Sequence, residues 1–157
     1  LTIPLLGEGL DLCSSTARIT RSARSSQAAI HQMRRDIRRA AEVKLRTQLG
    51  NMKQVPLFVR FSDGSAAAYA IKNSSFVRIT LLPDAELQSR RRLPYHRVHK
   101  PVSGDFSDLA VERIQDAARV FKIELTARIE RFGGGSKQYE NSTFTTAVQM
   151  RGKPGDE

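Results

Sequence analysis

Residues 122–150 carry the pattern that most restricts the fold of this chain: two alternating stretches on either side of a glycine turn. In the first stretch every second position from 123 to 129 is apolar, which is the period of a strand with one buried face. Gly133-Gly134-Gly135-Ser136 follows, and the chain returns with one face formed by Phe144, Thr146, Val148 and Met150. The pattern predicts a long C-terminal β-hairpin, so the fold must contain an antiparallel sheet.

Residues 55–82 predict a three-stranded antiparallel meander. Residues 55–61 alternate like a half-buried strand, and the Asp63-Gly64 that follows is typical of a type I′ turn in a tight hairpin. The next stretch is rich in alanine, which favours a helix, but the turn residues on both of its sides favour a second strand. We expect residues 76–82 to form the third strand and to end before Pro83.

Two further segments predict helices. In residues 27–49, after a cap at Ser25 or Ser26, apolar residues recur every three or four positions, at Ile30, Met33, Ile37, Ala41, Leu45 and Leu49. Residues 105–121 predict a second helix, capped by Asp105 or Ser107. The expected fold class is therefore α+β, with a mostly antiparallel sheet of about five strands and two helices packed on it.

The chain of 157 residues has the length of one domain. We expect an N-terminal arm at residues 1–26, a single α+β domain at residues 27–150 and a tail at residues 151–157. The arm begins apolar and continues rich in Ser and Arg without an acidic residue from 14 to 26. Such a segment buries too little apolar surface to order itself, so the prediction is an arm that is mobile until it meets a partner.

Net charge is the strongest global feature. The chain has 26 Lys and Arg against 16 Asp and Glu, which gives +10 at pH 7 and favours a polyanionic partner. A single Cys excludes an internal disulfide and a cysteine-based zinc site. No apolar run approaches the roughly 20 residues that a membrane span needs, so no membrane partner is expected.

Basic residues concentrate in four segments: the arm, the outer face of the first helix, a polar loop at residues 83–104, and the base of the glycine turn. Phosphate is neutralised by Arg and Lys, and in the loop Tyr and His rings offer stacking surfaces for bases. The alternative for each segment is a solvated surface, and Asp36 and Glu42 supply intrahelical partners for some of the arginines. The predicted nucleic-acid-binding residues are Arg18, Arg21, Arg24, Arg34, Arg35, Arg38, Arg39, Arg46, Arg90, Arg91, Arg92, Tyr95, His96, Arg97, His99, Lys100, Arg131 and Lys137.

No pattern indicates catalysis, a metal or another cofactor. His96 and His99 have a spacing that binds zinc on a helix, but they lie in a loop between Pro94 and Pro101. The carboxylates show no clustering of the kind that holds Mg²⁺ in a nuclease. The glycine turn joins two strands, whereas a phosphate-binding loop joins a strand to a helix. Cys13 has no partnered base.

We therefore expect a non-enzymatic protein that binds a nucleic-acid backbone, of RNA or of single strands, as a component of a larger nucleoprotein assembly with other subunits. Sequence preference should be slight, because nothing requires contacts to base edges. The alternative is a self-assembling structural protein of the virion or tail type, whose arm and hairpin tip contact neighbouring copies. A metal-dependent nuclease is the third possibility. The favoured location is a reducing intracellular compartment or a virion or similar particle.

Overall fold

The structure, a computed structural model, describes residues 3–49, 52–81, 97–99, 105–115, 119–133 and 136–151. One helix and eight strands lie in these ranges. They are α1 (Ile3–Arg39), β1 (Glu42–Leu49), β2 (Met52–Arg60), β3 (Ala66–Lys72), β4 (Ser75–Leu81), β5 (Arg97–His99), β6 (Phe106–Arg113), β7 (Val120–Gly133) and β8 (Ser136–Gln149).

The strands form two antiparallel sheets. The first has the order β1-β2-β3-β4, with the three-residue β5 added beside β4, and the second has the order β6-β7-β8. The fold is thus mostly β, and the predicted α+β arrangement of one five-stranded sheet with two helices is wrong.

The predicted first helix is misplaced at both of its ends. It begins at Ile3, within the predicted arm, so Ser25 and Ser26 are buried inside the helix and do not cap it. It ends at Arg39, and residues 42–49 form β1. Leu45 and Leu49 fit both a helical stripe and a two-residue alternation, whereas the buried Val43 fits only the alternation. Residues 42–49 form a strand because their backbone pairs with β2 in an antiparallel ladder.

The predicted second helix is replaced by β6 and the start of β7. A β-bulge shifts the register between Phe106 and Asp108. The extra residue separates the buried Phe106 and Leu109 by three positions instead of two, which imitates a helical spacing. Beyond the bulge, Leu109 and Val111 alternate as a strand requires.

The predicted meander is confirmed as β2, β3 and β4, although its first turn differs in type. Gly64 has φ 85° and donates its N–H to the carbonyl of Phe61, and the loop closes with the bond from Phe61 N to Ser65 O. This is a three-residue loop with the glycine in the left-handed region. The type I′ geometry occurs instead at the next turn, where Asn73 and Ser74 have φ 50° and 60°.

The predicted C-terminal hairpin is confirmed as β7 and β8, paired without a register shift from Val120↔Gln149 to Gly133↔Ser136. Its inner face supplies Ile123, Leu125 and Ala127 to the core. Helix α1 packs on β7 and β8 through Ile30, Met33 and neighbouring residues, and the same core includes residues of the first sheet. The helix therefore lies against both sheets.

Candidate functional site: the basic face of helix α1

Helix α1 has one buried side and one strongly basic side between residues 20 and 40. The buried positions are Ser25, Ser26, Ala29, Ile30, Met33, Asp36, Ile37 and Ala40. At about 100° per residue, the opposite sector of about 80° contains five exposed basic side chains. They are Arg21, Arg24, His31, Arg35 and Arg39, which together are called the outer basic face.

Between residues 20 and 40 the helix carries no exposed carboxylate beside the outer basic face. Asp36 is the only acidic residue between positions 20 and 40, and its side chain is turned into the core with the residue 1% exposed. Glu42 lies on β1, where it pairs with Lys44 at 3.7 Å and with Arg60 at 3.9 Å. The expectation that Asp36 and Glu42 neutralise helix arginines is therefore wrong.

Asp36 instead anchors the helix to the first sheet. Its Oδ2 atom accepts from Arg78 Nη2 at 2.8 Å and Arg78 Nε at 2.9 Å, and the Tyr69 hydroxyl donates to the same oxygen. Arg78 also donates from Nη1 to Thr80 Oγ1 at 3.0 Å. Burial, followed by the negative charge of Asp36, raises the pKa of the Tyr69 phenol well above its usual range. This network joins the buried side of α1 to β3 and β4 of the first sheet.

The remaining charges near the outer basic face are at its C-terminal end. The guanidinium of Arg39 lies 6.0 Å from the ring centroid of Phe61. Asp63 is in the adjacent β2–β3 turn, and its pKa is lowered chiefly by hydrogen bonds from the Ser65 side chain and backbone, with a small contribution from Arg39. Arg39 is thus partly engaged, whereas no ion pair is found for Arg21, Arg24 or Arg35 within the described part of the chain.

The other predicted helix residues do not all join this face. Arg34 and Arg38 are half-buried at its flank. Arg46 lies on β1 in a separate groove, with Asp108 and Glu112 of β6 in the lining. The structure thus places Arg46 apart from the outer basic face, in a groove that it shares with two acidic residues.

The predicted loop residues lie mostly outside the described ranges. These are Arg90, Arg91, Arg92, Tyr95, His96 and Lys100. The backbone of β5 pairs Arg97 with Thr80 and His99 with Arg78, at the β4 side of the first sheet. At the hairpin tip, Arg131 and Lys137 pair with Gln138 and Phe132, and Arg18 lies in the helical part of the predicted arm.

The sequence reasoning missed two features of the site. His31 is not among the predicted binding residues, although its spacing of seven from Arg24 and four from Arg35 places it on the same helix face. The network of Asp36, Tyr69 and Arg78 joins residues on three elements, and no local pattern marks it.

Comparisons with family models, with curated proteins and with solved structures find no match for this chain. Among the described residues, no three His, Cys, Asp or Glu side chains come together as metal ligands. In the same ranges no helix combines the length and apolar character needed to cross a membrane.

Proposed function

We propose that this protein binds a nucleic-acid backbone through the outer basic face of α1, without catalysing a reaction, as a component of a larger nucleoprotein assembly. The observation that carries the proposal is the one-sided distribution of charge. Four exposed arginines and His31 share one helix face, and between residues 20 and 40 the helix offers no exposed carboxylate.

The dimensions of the face suit a phosphate backbone. Arg21 and Arg39 are 18 residues apart, so the face extends about 27 Å along the helix. A duplex carries one charge per about 1.7 Å of its axis, so several phosphates fall within that length. Guanidinium groups donate hydrogen bonds and phosphate oxygens accept them, which makes the two chemically complementary.

A preference for RNA or for single strands rests on Tyr95 and His96, whose rings would stack on unpaired bases. Such stacking is tolerant of sequence, and phosphate contacts carry no base information, so binding should differ little between sequences.

The test is a salt titration of binding to a labelled single-stranded RNA and to duplex DNA. Each phosphate neutralised on a single strand contributes about −0.7 to the slope of log K against log salt, so four arginines predict a slope of roughly −3. A slope near zero, or no binding at low salt, would contradict the proposal.

Self-assembly is the second candidate, and the length of α1 favours it. Helix α1 has 37 residues, about 55 Å, and it continues for about 33 Å on the N-terminal side of Ser25. A helix of that length offers a surface for contacts between subunits. Sedimentation of the chain without nucleic acid tests this candidate: a defined oligomer supports it, and a monomer at all concentrations opposes it.

A further inference from the structure

We infer that the groove between α1 and β8 binds an extended acidic peptide of a partner protein, by adding it as a strand to β8. The groove has a volume of about 610 Å³ and is lined by Gln27, Ile30, His31 and Arg34 of α1 and by residues 143–146 of β8. The groove adjoins the outer basic face and shares His31 with it, but the inference concerns a different partner and does not rest on the proposed function.

The β8 side of the groove is the edge of a sheet. Strand β8 is the last strand of the second sheet, and within the described residues no backbone group of 136–149 bonds outside its ladder with β7. Alternate N–H and C=O groups of an edge strand point away from the sheet. Successive side chains of a strand point to opposite faces of the sheet, so residues 143–146 cannot all line the groove with their side chains. Backbone atoms of β8 therefore form part of the groove lining.

Within the described residues, β8 carries no proline, bulge or cluster of charges that would block strand addition. Strand β8 has 14 residues, contains no proline, and pairs with β7 without a bulge. Proteins commonly protect edge strands with proline, bulges or clustered charge. An uninterrupted edge beside a groove is the geometry that peptide-binding domains use for strand addition.

The α1 side of the groove selects for acidic side chains. Arg34 and His31 are basic, and no carboxylate is among the lining residues. The Nε atom of Arg34 is buried and has no hydrogen-bond partner among the described residues. Side chains of an added strand alternate between the two faces of the sheet, so acidic residues at every second position would all face α1.

Two other occupants fit less well. A second copy of the chain could pair its β8 with this β8 around a two-fold axis perpendicular to the sheet. That pairing would place both basic α1 helices on the same face of the joined sheet, where their charges repel. The phosphates of a nucleic-acid backbone only accept hydrogen bonds, and the 2′-hydroxyl of RNA is the one donor its sugar adds, so this backbone does not match the alternating N–H and C=O groups of β8. A polypeptide strand supplies both donors and acceptors at the required spacing.

The probe is a fluorescent peptide of alternating Thr and Glu, and its binding to the full chain is measured by anisotropy. Two methylated peptides provide the main control, one with N-methyl groups on every Thr and the other with N-methyl groups on every Glu. In an added strand only one of these two sets of N–H groups faces β8. One methylated peptide should therefore bind at least about tenfold more weakly, whereas the other should bind as the parent does.

Protein variants test the charge requirement. R34E should weaken binding of the Thr-Glu peptide about tenfold, and K72E, the same charge reversal on an exposed lysine away from the groove, should change it less than about twofold. A Thr-Lys peptide should not bind. Amide exchange of residues 143–146 should slow in the complex.

The inference would be overturned if the Thr-Glu peptide did not bind, or if both methylated peptides bound as tightly as the parent peptide. It would also be overturned if R34E and K72E weakened binding equally. A fourth contrary result would be slower amide exchange of residues 143–146 with a single-stranded oligonucleotide but not with the peptide. The methylated peptides need no protein variant, so a folding defect in R34E does not obscure the outcome. Failure of this test leaves the salt dependence of nucleic-acid binding untouched.

Discussion

Asp36 of α1 and Arg78 of β4 form a shielded ion pair, with Nη2 of the arginine 2.8 Å from Oδ2 of the carboxylate. The Asp36 side chain is 2% exposed and the Arg78 side chain is 15% exposed, so neither charge is fully solvated. The Tyr69 hydroxyl completes the site by donating to the same oxygen. The pair holds α1 on the first sheet and leaves the arginines of the helix on its outer side.

Replacing Asp36 with Asn should strongly destabilise the protein. Arg78, whose side chain is 15% exposed, would lose its counter-charge, and breaking a buried pair in this way costs about 3–5 kcal/mol. Urea unfolding followed by circular dichroism measures the change. The matched control is Glu112→Gln, an exposed carboxylate on β6 whose loss should cost less than about 0.5 kcal/mol. Equal effects of the two substitutions would show that the Asp36–Arg78 pair does not stabilise the fold.

The stability of the folded chain should fall at alkaline pH because of Tyr69. Burial and the charge of Asp36 raise the pKa of this phenol in the folded state above its value of about 10 in the unfolded chain. The unfolded state therefore releases this proton first, so the contribution of Tyr69 is constant below pH 10 and declines as the pH rises beyond it.

The measurement for Tyr69 is urea unfolding at a series of alkaline pH values, compared with Tyr69→Phe. The variant lacks the hydroxyl and should be less stable at neutral pH by about 1–3 kcal/mol, but its stability should decline less steeply above pH 10. Tyr139, which is 48% exposed, provides the control, since Tyr139→Phe should leave the alkaline decline unchanged. Parallel declines in Tyr69→Phe and the parent chain would contradict the assignment.

Ser74→Gly should stabilise the protein. Asn73 and Ser74 both have positive φ in the β3–β4 turn, a conformation that costs a non-glycine residue about 1 kcal/mol. Glycine at the second position removes that cost, and a gain of about 0.5–1 kcal/mol in the free energy of unfolding is expected. Ser75→Gly, one residue further along in β4, should have the opposite sign because it introduces glycine into a strand. A destabilised Ser74→Gly variant would refute this account of the turn.

Charge reversal on the outer basic face should reduce the salt dependence of nucleic-acid binding. Removing the phosphate contacts of Arg24 and Arg35 in the double variant R24E/R35E should lower the magnitude of the slope by about 1.4 on single-stranded RNA. The double variant K53E/K72E changes two exposed lysines on the first sheet and lowers the net charge equally. If the two variants behave alike, binding follows net charge alone and the helix face has no special role.

The sequence by itself determined the antiparallel hairpins and the inner stripe of the helix. Alternation and turn residues are local signals, so β2, β3 and β4 and the pair β7–β8 could be predicted from them. Ile30, Met33 and Ile37 were likewise predicted to face the core, and they do. The physical reason is that these preferences act within a few residues and need no distant partner.

Only the tertiary structure decided where α1 ends and which way Asp36 faces. Residues 42–49 carry apolar positions that fit either period, and their backbone groups gain a partner only when β2 lies alongside. Asp36 stands between arginines in the sequence and was expected on the surface with them. Its burial is tolerated because Tyr69 and Arg78, 33 and 42 residues away, supply hydrogen bonds and a counter-charge. That long-range compensation leaves the outer basic face without a carboxylate of its own.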